Sequence, residues 1–136
     1  MQLTRLFYQC KFKALYITFK IKRFSTIRIF SAKVAKSRDW YVSFLGMDPV
    51  EDLEGFVSFE IQNVRFDIIA SDLKSPFSKG GSVGYFLVDD LDELIKKCIE
   101  LEGAVYRGPL RVEESQRTIV QIIDPFGNVI GFESEF

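Results

Sequence analysis

Residues 25–72 and 82–135 run through the same order of elements: a strand, a helix stopped by a glycine, then two or three further strands. Self-similarity at a spacing of about fifty residues is the mark of stacked supersecondary units. One such unit is too small to close a core by itself. Two of them side by side can form a curved sheet, and its concave side becomes a cavity lined by inward residues of both. The expected fold is therefore α+β: two βαβββ modules forming a curved mixed sheet around a cavity, within a domain at residues 24–136.

The first module opens with Thr26–Ser31, which alternates as a strand. Thr26, Arg28 and Phe30 share one face, and Ile27 and Ile29 the other. Val34, Tyr41, Phe44 and Leu45, with Trp40 beside them, have helical spacing over Val34–Leu45, and Gly46 is the expected residue just past the helix end. A turn around Asp48-Pro49 leads into strands at 55–61 and Val64–Ala70, joined by the two-residue turn Gln62-Asn63. Residues 71–81 have no periodicity and read as a linker or an active-site loop.

The second module opens with a strand at 82–88. Asp89 or Asp90 caps a helix over 91–102, where Leu91, Leu94, Ile95, Cys98 and Leu101 form one apolar stripe. Cys98 there is most simply a small core residue. Gly103 is expected to stop this helix. Ala104–Val112 is a strand bent or bulged at Gly108-Pro109. The β-branched run 116–123 and the apolar run 128–132 flank Asp124-Pro125-Phe126-Gly127-Asn128. Its Pro presets φ, its Gly and Asn tolerate positive φ, and the two strands form an antiparallel hairpin.

The chain has no histidine. That excludes His general bases, Ser-His-Asp and Cys-His nucleophiles, and imidazole-ligated zinc. Cys10 and Cys98 lie far apart, so no disulfide framework is expected and a reducing, cytoplasmic setting is. No apolar run reaches the ~18 residues of a membrane span. Fourteen Phe and five Tyr favour β-structure and suit a cavity walled by rings.

The net charge of -1 hides an asymmetry. Residues 1–33 carry eight basic residues and no acid; the rest carries ten basic and nineteen acidic residues. An acidic body repels nucleic acid, so none is expected as a partner. Residues 1–23 form a basic, aromatic N-terminal extension without the apolar core or cleavage site of a secretory signal. It reads as an accessory element packed on the domain, or as a binder of anionic surfaces.

Three of these stretches carry a family resemblance. Ser37-Arg38-Asp39-Trp40-Tyr41-Val42-Ser43-Phe44-Leu45-Gly46 is similar to the Ser-x-x-Phe-Tyr-x-x-x-Leu-Gly helix of the vicinal oxygen chelate superfamily. That group includes glyoxalase I, methylmalonyl-CoA epimerase, extradiol dioxygenases and bleomycin-resistance proteins. Phe86-Leu87-Val88-Asp89-Asp90-Leu91-Asp92 resembles its second-module strand and cap, and Asp124-Pro125-Phe126-Gly127-Asn128 its last turn. The match covers about residues 24–135.

Catalytic members of that superfamily hold a metal through His, Gln or Glu side chains on inner strands. Carried over one at a time, the four positions fall near Thr26, near Asp67, near Val83 and at Gly131, where metal-binding relatives have Glu. Val83 and Gly131 offer no donor and Thr26 is a poor one. The resemblance therefore implies the metal-free, bleomycin-resistance-type branch, with no cofactor and no catalytic residue. The alternative is a slip in register that makes Asp67 and Glu133 hard oxygen ligands of one divalent metal.

The expected ligand-binding residues are Thr26, Arg28, Phe59, Asp67, Tyr85, Gly131 and Glu133. Phe59, with Val57 beside it, is the ring expected to face inward. Gly131 is expected to leave room where a metal-binding side chain would stand. Asp67 paired with Arg28 is the purely structural reading of those two, and core filling that of the rings. Trp40 is read as core. Such a cavity suits a planar or cationic organic molecule. What the resemblance implies is a homodimeric, non-enzymatic small-molecule binder. Its rivals are a glyoxalase-type lyase or isomerase with the rearranged metal site, and a structural or regulatory subunit docked through residues 1–23.

Overall fold

The computed structural model describes residues 20–78 and 80–136. Most of the N-terminal extension, residues 1–19, lies outside the described residues. The first module contains β1 (Thr26–Ser31), α1 (Val34–Leu45), β2 (Glu51–Leu53), β3 (Phe56–Ile61) and β4 (Val64–Ala70). The second contains β5 (Tyr85–Leu87), α2 (Leu91–Glu100), β6 (Ala104–Val112), β7 (Arg117–Ile123) and β8 (Val129–Glu135). Each module forms one four-stranded mixed sheet, in the orders β1-β4-β3-β2 and β5-β8-β7-β6. The first strand runs parallel to the fourth in both, and the other pairings are antiparallel. The fold is thus α+β with two βαβββ modules, and the two sheets are not closed into a barrel. Neither described helix is long and apolar enough to cross a membrane.

Local chemistry accounts for the element ends. Gln62 and Asn63 both take positive φ (47° and 68°), the two-residue turn whose twist matches that of the flanking strands β3 and β4. Gly46 closes α1 in the left-handed region at φ 68°. Asp90 caps α2 by accepting from the Glu93 amide at 3.1 Å. The far end of α2 lies at Glu100, two residues before the expected 102. The left-handed residue is Glu102, at φ 70°, not Gly103. The Gly103 amide donates to the Cys98 carbonyl (2.9 Å) and the Glu102 amide to the Ile99 carbonyl (3.0 Å), the paired bonds of a Schellman end. Gly103 is required for closeness instead, because a Cβ there would stand 2.6 Å from Cys98 Sγ.

Both helices cover one face of the sheets, and one aromatic core runs across the modules. Trp40 stacks on Phe44 at 4.9 Å between centroids, and Tyr41 meets Phe66 at 5.0 Å. Phe66–Phe86 (6.1 Å) and Phe44–Phe132 (5.8 Å) join the first module to the second. Three hydrogen bonds cross the same boundary. Trp40 Nε1 donates to the Leu101 carbonyl at 2.6 Å, Tyr41 Oη to Asp124 Oδ2 at 2.6 Å, and Asn128 Nδ2 to the Phe30 carbonyl at 2.9 Å.

Phe59 belongs to this core. It is fully buried and meets Phe66 edge-on at 6.3 Å, with Val57 on the same side. The expectation that Phe59 and Val57 face the cavity is therefore corrected. Strand β3 has Val57, Phe59 and Ile61 on one face and Ser58 and Glu60 on the other, so its apolar set meets the helices and its polar set lies on the opposite face.

Candidate functional site

Strand register sorts the polar side chains onto the face away from the helices. In the first sheet Arg28 lies beside Asp67, Asp67 opposite Ser58, and Ser58 opposite Glu51. These residues form a connected row. Arg28 Nε donates to Asp67 Oδ2 at 3.4 Å, and Ser58 Oγ donates to Asp67 Oδ1 at 2.5 Å. Arg65 Nε donates to Ser58 Oγ at 2.7 Å, and its Nη2 reaches Glu51 Oε1 at 2.8 Å. Asp67 is only 4% exposed, whereas the Arg28 side chain is 59% exposed. The row thus presents a guanidinium to solvent over a buried carboxylate. Thr26 stays outside it, its hydroxyl donating to Ser25 Oγ at 3.3 Å.

In the second sheet the corresponding face carries Tyr85 beside Gly131 and Glu133 beside Leu87. Gln121 lies opposite Gly131, and its Nε2 donates to the Tyr85 hydroxyl at 2.8 Å. Arg117 Nη1 donates to Glu133 Oε1 at 2.8 Å, both side chains half-buried. The space expected to stand open at Gly131 is taken. A Cβ at that position would lie 2.5 Å from Tyr85 Cδ1 and 2.6 Å from Cε1. The ring fills it, and Gln121 holds the ring by its hydroxyl.

The donor set does not fit the superfamily's metal. Asp67 is engaged by Ser58 and Arg28, and Glu133 by Arg117. Each carboxylate of the alternative pair has its own arginine. Val83 precedes β5 and lies in no strand, because that strand is Tyr85–Leu87, shorter than the expected 82–88. Among the described residues no group of three or more His, Cys, Asp or Glu side chains comes together. A transition-metal site needs about three protein donors.

The most perturbed ionisable groups are structural. Asp124 sits inside the turn between β7 and β8 and accepts from the amides of Phe126 (2.8 Å) and Asn128 (3.0 Å) as well as from Tyr41. Burial raises its pKa, against the lowering effect of those hydrogen bonds. Tyr41 is raised well above its ordinary value by burial and by the Asp124 charge. Burial, helped by Asp124, pushes the Cys98 thiol to about 11. An inert buried thiol agrees with the core role read from its helix position.

Sequence reasoning missed a second feature. A cavity of about 780 Å3 lies at the module boundary, walled by Trp40, Phe77, Leu101 and Phe126 and rimmed by Lys33 and Lys36. None of the expected ligand-binding residues lines it. Two signals pointed to it: Phe126 within the turn, and Phe77, the one aromatic residue of the loop 71–81.

A family model for the glyoxalase/bleomycin resistance protein/dioxygenase superfamily matches residues 23–132. No curated protein sequence matches the chain significantly. Among solved structures, a putative glyoxalase family protein from Bacillus anthracis shares 19% identity at a TM-score of 0.70, covering 88% of this chain and all of that one. A glyoxalase/bleomycin resistance protein/dioxygenase family enzyme from Burkholderia phytofirmans PsJN shares 17% at 0.71, covering 82% of this chain and 98% of its own. A glyoxalase/bleomycin resistance protein from Albidiferax ferrireducens T118 shares 19% at 0.67, with 82% and 98% covered. At these identities the likeness is one of fold. With the family model spanning most of its length, the chain belongs to the glyoxalase/bleomycin resistance protein/dioxygenase superfamily.

Proposed function

We propose that the protein is a non-enzymatic small-molecule binder that uses the face of its sheets turned away from the helices. The observation that carries this reading is the Tyr85 ring seated over Gly131. Where the family resemblance puts a chelating carboxylate, this chain puts an aromatic surface steadied by Gln121. Beside it the face offers the Arg28–Asp67 and Arg117–Glu133 pairs. An aromatic ring on a face that also carries charged pairs suits a planar or cationic organic molecule, through stacking and cation–π contact. Arg28, Asp67, Tyr85 and Glu133 are the residues assigned to it, with Gly131 as the seat of the ring and Thr26 at the margin. A homodimer in the cytoplasm completes the proposal, by likeness to bleomycin-resistance-type proteins.

A thermal-shift screen with planar aromatic and quaternary ammonium compounds tests it. Binding to the folded state alone stabilises by RT ln(1 + [L]/Kd), about 2.7 kcal/mol at a hundredfold excess over Kd. The expected result is a shift with at least one compound that Arg28→Ala and Tyr85→Ala each reduce. No shift across the panel would favour a structural or regulatory subunit. A stoichiometric divalent metal in the purified protein, lost on Glu133→Ala, would return the reading to an enzyme.

A further inference from the structure

We propose that the cavity at the module boundary is a second binding site, for a planar aromatic molecule bearing one carboxylate. Its volume of about 780 Å3 falls within the roughly 300–1,000 Å3 of small-molecule sites. Its walls are rings from three separated parts of the chain: Trp40 on α1, Phe77 in the loop after β4, and Phe126 in the turn before β8. Trp40 offers only its ring, because its indole N–H is already given to the Leu101 carbonyl at 2.6 Å. Phe77 is half exposed and reaches Gly127 so closely that a Cβ there would stand 2.8 Å from its Cδ2. A glycine in the turn is what lets this ring close the wall.

The charges on the rim set the class of ligand. Lys33 and Lys36 form no ion pair among the described residues. Asp39, which also borders the cavity, is held by Arg38 at 2.9 Å. The remaining acid on the rim, Glu102, limits the favourable anionic charge to a single group. Two free ammonium groups on the rim of a ring-walled cavity attract a carboxylate attached to an aromatic plane, and they disfavour the cations that suit the other face. This site shares no residue with the sheet face and does not rest on the binding proposed there.

Trp40 is the sole tryptophan of the chain, so indole emission reports on this cavity. The test is titration of the full chain with 4-nitrobenzoate, a planar aromatic carboxylate that quenches indole fluorescence. Saturable quenching is expected. The Lys33→Glu/Lys36→Glu variant is expected to bind roughly tenfold more weakly, a loss of about 1.4 kcal/mol, and Phe77→Ala by a similar factor. Exposed Lys96→Glu, away from the cavity, is expected to leave the titration unchanged. The uncharged analogue 4-nitrobenzamide should quench only at much higher concentration. Quenching that never saturates overturns the proposal. So does equal affinity for acid and amide, or saturable quenching that survives the lysine and Phe77 substitutions. Loss of quenching on Tyr85→Ala alone would place the ligand on the sheet face and overturn it too.

Discussion

The hydroxyl of Tyr41 donates to Oδ2 of Asp124 at 2.6 Å, across the boundary between the two modules. Both residues are buried. Tyr41→Phe removes the donor and leaves a buried carboxylate one hydrogen bond short, which costs about 1–3 kcal/mol. Urea unfolding should report that loss as a lower midpoint with an unchanged slope. A change under about 0.5 kcal/mol would mean that the bond contributes little.

Asp124 also shapes the response to acid. Its folded-state pKa is raised, by burial first, so the folded chain holds its proton to higher pH than the unfolded chain does. Its contribution to stability is then greatest below the ordinary aspartate value of about 3.9 and declines as pH rises through the elevated folded value. Asp124→Asn removes this decline. Above pH 4 the stability of the native chain, measured relative to the variant, should fall with rising pH before levelling off. A relative stability that climbs over that interval would show that the hydrogen bonds, not burial, govern the carboxyl.

Gly131 and Tyr85 should behave as a coupled pair. Gly131→Glu alone drives a side chain into the Tyr85 ring, with destabilisation of about 1–3 kcal/mol from overpacking. Tyr85→Ala in the same chain removes the obstruction, and the double variant should recover part of that loss. A double-mutant cycle by thermal unfolding measures the coupling, expected between about 0.5 and 3 kcal/mol. Simple additivity would contradict the close approach.

At the end of α2 the two neighbouring positions should respond in opposite senses. Glu102→Gly relieves a non-glycine residue at φ 70° and is expected to stabilise by about 1 kcal/mol. Gly103→Ala meets Cys98 Sγ at 2.6 Å and the Cys98 and Ile123 carbonyls at 3.2 Å, and is expected to destabilise. Differential scanning calorimetry on both variants checks the signs.

In the first sheet, Ser58 should matter more to the fold than Arg28. Ser58→Ala takes the 2.5 Å donor from buried Asp67, at about 1–3 kcal/mol. Arg28→Ala removes a solvent-exposed partner and should change stability by about 1 kcal/mol or less. Chemical denaturation of the two variants settles the order.

Much of this architecture was legible in the sequence, for reasons that differ by element. Thr26–Ser31 and Val34–Leu45 were bounded correctly because alternation and helical spacing are strong there and Gly46 marks a left-handed end. Glu51–Leu53 escaped because three exposed residues carry no periodicity. The end of α2 was set at 102, two residues late, because Gly103 was read as the stop, whereas here that glycine serves a contact made only in three dimensions. Arg28 and Asp67 could be placed together because strand parity fixes their face. Phe59 was set on the wrong side although β3 alternates, with Ser58 and Glu60 on the face opposite it. The filling of Gly131 was hidden because Tyr85 lies far from it in sequence and reaches it only through the parallel pairing of β5 with β8. The boundary cavity was hidden for the same reason: its three rings come from separate segments.

The bonds that tie the modules together occur once, although the modules repeat. Five residues before Gly46 the first helix carries Tyr41; five before Gly103 the second carries Cys98. The turn that receives Tyr41 contains Asp124, whereas its counterpart between β3 and β4 is only Gln62-Asn63. The duplicates have become specialised halves. A chain built from two copies of the first would bury two phenols with no carboxylate to receive either.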